Sequence, residues 1–111
     1  MIVNVYSGTK KLEGPIFMAD SFFSRFKGLM LKKSIKSEEG IFFKNVNRIH
    51  TCFMRFTIDV IYFDENYKVL YIEEVKPWKI GSKVKGAHHL LELNSGMGKY
   101  FRIGEFVKIE R

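Results

Sequence analysis

The stretch FTIDVIYFDENYKVLYIEEV, Phe56 to Val75, constrains the fold of this chain most. Both of its arms are rich in β-branched and aromatic residues, and the polar ENYK between them reads as a turn of about four residues, so an antiparallel hairpin is predicted. The flanking sequence repeats the theme in shorter pieces. Ile2, Val3, Val5 and Tyr6 are strand formers, Ser7 to Lys11 reads as a turn, and a second extended piece reaches Phe17. IFFKNV and RIHTCFM suit edge or hairpin strands better than helices. HHLLELN resumes a strand, SGMGKYF is a turn or one short helical turn, and EFVKIER alternates as a half-buried strand should. Only ADSFFSRFKGLMLKK departs from this pattern. It sets Phe22, Phe23, Phe26, Leu29 and Met30 at helical spacing behind a candidate cap at Asp20 or Ser21, and Gly28 limits its length. The expected fold is mainly β, a β-sandwich or open barrel of short, mostly antiparallel strands with one short helix near residues 20–30.

Length and composition bound the rest. The 111 residues make one domain, and 46% hydrophobic content with eleven Phe and five Tyr supplies a packed core. The 19 Lys and Arg against 12 Asp and Glu leave a formal charge of +7, which favours phosphate backbones, anionic membrane surfaces or acidic partners. Because the basic residues are scattered among Glu, a soluble basic surface is the favoured reading. The one cysteine, Cys52, forms no internal disulfide and no CxxC is present, so a reducing, cytoplasmic compartment is expected. The first residues lack the pattern of a signal peptide, and no run of 18 apolar residues offers a membrane span.

Asp59 is the most informative polar position, since it stands between Ile58 and Val60 in a strand of apolar neighbours. A buried carboxylate there needs a partner or takes up a proton. Thr57 shares its face, whereas Arg55 lies about 13 Å along the strand, so a basic residue from elsewhere such as Arg25 is the better partner. Glu92 repeats the pattern within LLEL, with a solvated acid as the simpler reading. If Arg25, Thr57, Asp59 and Glu92 converge, they form a polar pocket for a small polar ligand. A structural ion pair or hydrogen-bonded network is the competing reading of Asp59.

His50 and Cys52 stand two apart, which on a strand suggests a thiol and its base. The apolar residues that continue that face, Met54, Phe56, Ile58 and Val60, favour Cys52 as a small core residue. His88 and His89 are adjacent and point to opposite sides of a strand, which disfavours a shared metal. Trp78 among Lys76, Lys79, Lys83 and Lys85 forms an aromatic and basic surface in an exposed loop, 76–86. It is read first as a tryptophan anchoring the loop to the core, and second as a contact for a partner or single-stranded nucleic acid. No nucleotide, hydrolase or zinc-protease motif is present, and no cofactor is implied. The leading expectation is a non-enzymatic binding or accessory domain with a polar site near Asp59. The alternatives are a small enzyme using Asp59 or His50 as acid or base, and a nucleic-acid binder working through the 76–86 loop.

Four motifs carry a family resemblance: MADSFFSRFKGLM, IHTCFMRFTIDVIYFD, LLELNSG and RIGEFV. In this order the chain resembles the domain of unknown function 192 family, with Ala19, Asp20, Arg25, Gly28, Leu29 and Met30 matching its opening pattern. Phe53, Met54, Thr57, Ile58 and Asp59 match its central block. Many members carry Trp-Met-Lys-Asn-Thr where this chain has Phe53, Met54, Arg55, Phe56 and Thr57, and Glu105 stands where Asp is common. The resemblance implies a small, mainly β fold and no particular reaction. Its members include exported proteins, so the compartment is inferred from this sequence alone.

Overall fold

The computed structural model describes residues 2–19, 38–48 and 56–111, and the helix expected near residues 20–30 lies outside them. β1 (Ile2–Ser7) alternates, with Val3, Val5 and Ser7 buried, and turns at Gly8 into the two-residue β2 (Lys10–Lys11). Gly8 has φ 62, a left-handed conformation that suits glycine. Tyr6 faces Lys11 but Ile2 faces Phe17, so two extra residues are absorbed around Gly14 before β3 (Ile16–Ala19). A Cβ on Gly14 would come within 2.4 Å of the Glu38 backbone, which is why the chain passes there without a side chain.

β4 (Gly40–Phe43) runs parallel to β3 and antiparallel to β7 (His89–Asn94). Gly40 and the first three residues of the IFFKNV segment, which was expected at an edge or in a hairpin, instead lie in the middle of the sheet, all four buried. An unbroken apolar run suits a strand covered on both faces, which an alternating edge strand does not need. β5 (Ile58–Phe63) and β6 (Val69–Val75) form the predicted hairpin. Asp64 organises its turn, its Oδ1 accepting the N–H groups of Asn66 at 2.8 Å and Lys68 at 3.0 Å. A single 3-10 turn, Met97–Tyr100, follows β7, and β8 (Val107–Glu110) pairs with β1.

The strand order is β2-β1-β3-β4-β7-β5-β6, with β8 also on β1. Lys68 bridges Phe106, while the Val69 N–H donates to the Glu105 carbonyl at 2.9 Å and the Val107 N–H to the Tyr67 carbonyl at 2.9 Å. The far edge of the sheet is thereby drawn toward β8 and β1, and the sheet curls into an open barrel. Its inner face gathers Val3, Val5, Phe42, Ile61, Phe63, Leu91, Leu93 and Val107 from across the sheet. A second cluster on the other face holds Ala19, Ile41, Phe43, Ile58, Val60, Tyr62, Val75 and Leu90. β5 is buried along its whole length because it serves both.

Candidate functional site

Strand register decides which polar side chains can meet. Asp59 pairs across β5 with Leu93 of β7 and Glu74 of β6, whereas Glu92 pairs with Val60. Asp59 and Glu92 therefore sit on opposite faces of the sheet, and the pocket expected from their convergence does not form. Arg25, His50, Cys52 and Arg55 lie outside the described residues. Thr57 is half-buried just before β5.

Asp59 is buried on the inner face, and its Oδ2 accepts the N–H groups of Gly96 and Gly98, both at 2.8 Å. Its neighbour Glu74 accepts the Ser95 hydroxyl at 2.9 Å, so two adjacent strands hold the chain leaving β7. Gly96 has φ 97, and a Cβ on Gly98 would lie 3.0 Å from Asp59 Oδ2 and 3.0 Å from Ile72 Cγ2. Both glycines are fitted to this carboxylate, one by backbone conformation and one by close approach.

Glu92 occupies the centre of the outer face at 5% exposure, between Ile41 of β4 and Val60 of β5. Burial raises its pKa from the ordinary value to about 8, so it carries a proton at neutral pH and can donate a hydrogen bond. A solvated Glu92, the simpler expectation, is thus corrected: in a strand covered on both faces neither side is wet. In the same transverse row, beyond Val60, stands Glu73 of β6. Two strand spacings set the Glu92 and Glu73 backbones about 10 Å apart. Glu73 accepts the Tyr62 hydroxyl at 2.5 Å, the Ser82 N–H at 2.8 Å and the Ser82 hydroxyl at 2.9 Å. Burial first, and this bond second, push the Tyr62 phenol up. Tyr62, Glu73 and Ser82 form a hydrogen-bonded polar group that the sequence reading did not single out. The available signal was the Glu73–Glu74 pair, since consecutive residues of one strand must face opposite sides.

His89 opens β7 at 3% exposure, and the exposed His88 precedes the strand; their rings meet edge to face at 4.7 Å, so the two are not divided between opposite sides as strand alternation would place them. His89 Nδ1 accepts the Asn45 N–H at 3.0 Å, and its ring stacks on Tyr67 at 4.8 Å. Burial, then the charge of His88, lower its pKa. A cleft of about 380 Å³ lies beside it, lined by Asn45, Val46, Asn47, Ala87 and His88. Among the described residues no three His, Cys, Asp or Glu side chains group as metal ligands would.

Lys76, Lys79, Lys83 and Lys85 are exposed, while Gly81 of the same loop is buried and Pro77, Ser82 and Val84 are half-buried. Trp78 is 61% exposed, so it does not anchor that loop by burial in the core. The loop is held by Ser82 on Glu73 and by Arg48, whose Nε donates to the Gly81 carbonyl at 3.2 Å.

These features define a class of small, mainly β domain, a curled mixed sheet with one carboxyl fixed inside it and another buried on its outer face. The chain belongs to the domain of unknown function 192 family, described as an uncharacterized ACR, whose profile matches residues 4–109. A UPF0127 protein of Pyrococcus horikoshii is 37% identical over 100 residues, covering 87% of this chain and 86% of its own. A UPF0127 protein of Thermococcus sibiricus is 32% identical over 104 residues, covering 90% of this chain and 67% of its own. Two crystal structures share the fold. A Sinorhizobium meliloti protein, proposed to be a transcription regulator, superposes with a TM-score of 0.76 at 16% identity, covering 96% of this chain and 91% of that one. A Novosphingobium aromaticivorans protein of unknown function superposes with a TM-score of 0.76 at 19% identity, covering 99% and 84%.

Proposed function

We propose that this domain is a non-enzymatic binding or accessory module for a small polar ligand, with its site on the outer face of the sheet around Glu92. The observation that carries the reading is a carboxyl at 5% exposure set between Ile41 and Val60. A leucine would fill such a place at less cost, so an acid held there at the expense of stability is of the kind that functional sites retain. Glu73, with Tyr62 and Ser82 attached, extends the same face with oriented polar groups. Asp59 is withdrawn from the site by its two amide bonds. That commitment also weighs against the reading of Asp59 as an enzymatic acid or base, which would need a carboxyl free to exchange a proton with substrate.

The test is a thermal-shift screen with a panel of small hydroxylated and carboxylate compounds on the parent, Glu92→Gln and Asp59→Asn. Compounds that raise the melting temperature of the parent and of Asp59→Asn, and leave Glu92→Gln unmoved, are the expected result. A compound that stabilises Glu92→Gln as well as the parent would overturn the placement of the site.

A further inference from the structure

In the loop between β6 and β7, the stretch from Lys76 to Ile80 contributes to neither core cluster. Trp78 and Ile80 are 61% and 67% exposed, although both are large and apolar. Trp78 also has φ 61, a backbone region that bulky residues seldom adopt. Lys76, Lys79, Lys83 and Lys85 are exposed around them, and no acidic residue occurs between Lys76 and Gly86. The base of the loop is fixed: Ser82 is bonded to Glu73, Gly81 to Arg48, and Val84 and Ala87 pack on the outer cluster. The segment from Lys76 to Ile80 is thus a basic, apolar tip on a tethered stem.

We propose that this loop docks the protein on an anionic lipid surface, with Trp78 and Ile80 entering the headgroup region and the lysines pairing with lipid phosphates and carboxylates. The chemistry favours lipid over the other polyanions. A nucleic-acid platform stacks bases on π-faces, and Ile80 offers none, whereas an interface rewards an aliphatic side chain beside an indole. A second copy of this chain is disfavoured, because each carries a formal charge of +7. Among the described residues no helix is long and apolar enough to cross a membrane, and the loop's attachment would be peripheral and reversible.

Trp78 is the only tryptophan of the chain, so its emission reports on the loop directly. The full chain is mixed with phosphatidylcholine vesicles prepared with and without phosphatidylserine, and both pelleting and tryptophan emission are followed. Binding to the phosphatidylserine vesicles alone is expected, with a blue shift and with affinity that falls as salt rises. Removing the charge of Lys83 or Lys85 should weaken binding roughly five-fold per lysine. Ile80→Ser should weaken it about ten-fold with an unchanged far-ultraviolet spectrum, since the side chain is exposed in the free protein. Phe106→Ser is the control: Phe106 is 64% exposed at the opposite end of β6, and its loss should leave binding as it was. The proposal is overturned by an absence of pelleting, by equal affinity for neutral vesicles, by Ile80→Ser binding like the parent, or by Phe106→Ser abolishing binding. A Trp78 shift produced by a single-stranded oligonucleotide, with vesicles inert, would assign the loop to nucleic acid instead.

Discussion

Asp59 and Glu92 are both acids in apolar strands, and the structure gives them opposite fates. Asp59 ends against two amide groups, whose N–H bonds its Oδ2 accepts; Glu92 is buried between Ile41 and Val60 and is stabilised as the neutral acid. Removing the charge of Asp59 should therefore cost stability. Asp59→Asn keeps an oxygen for Gly96 and Gly98 but turns two charge-assisted bonds into neutral ones, so a loss of about 1–3 kcal/mol is expected in denaturant unfolding. Equal or greater stability would mean that the charge is held at a cost, and Asp59 would return to the list of functional residues. That Asp59 needs a partner was legible in the sequence, because a carboxylate between Ile58 and Val60 cannot be left alone. The partner was not legible, since backbone N–H groups carry no residue signature. The division of Asp59 from Glu92 needed the β5–β7 register, which pattern within either strand does not determine.

At the scale of elements, strands defined by local signals were the readable ones. The β5–β6 hairpin, β7 and the alternating β8 follow from residue type and turn chemistry. The parallel pairing of β3 with β4 does not, because β3 ends at Ala19 and β4 starts at Gly40, and no local residue pattern announces a pairing across that interval. β4 is central for a reason visible at its first residue. A Cβ on Gly40 would lie 2.5 Å from the Glu92 carbonyl oxygen and 2.5 Å from Leu93 Cδ2. The first of these is backbone and cannot rotate away. Gly40→Ala should consequently push β4 from β7 and destabilise the protein by about 3 kcal/mol or more, at the upper end of overpacking effects. A melting temperature within a degree or two of the parent would show that the β4–β7 contact is looser than this geometry requires.

β7 joins the two faces of the whole molecule, since His89 lies on the inner face beside Phe42 and Tyr67 while Glu92, three positions on, lies on the outer. Both clusters share β4, β5 and β7, so titration on either face reports in one global unfolding transition. The two groups act in opposite directions. The Glu92 carboxyl is pushed up to about 8 in the folded protein from its ordinary 4.5, so the unfolded state loses its proton first and stability falls as pH rises across that window. Once both states are ionised the loss is complete, and at pH 7 it is already on the order of 3 kcal/mol. His89 is lowered from 6.5, so below that pH the unfolded state takes up the proton first and stability falls as pH falls. Between about 4.5 and 6.5 the contributions oppose each other, and above 6.5 that of Glu92 acts alone. Unfolding free energies measured from pH 4.5 to 9 on the parent, Glu92→Gln and His89→Gln should separate them. Relative to the parent, Glu92→Gln gains stability progressively toward pH 8, and His89→Gln gains it only below pH 6.5. Parallel curves for the parent and Glu92→Gln would mean that Glu92 is ionised in the folded protein, and that the outer face holds a paired anion where a neutral acid is inferred.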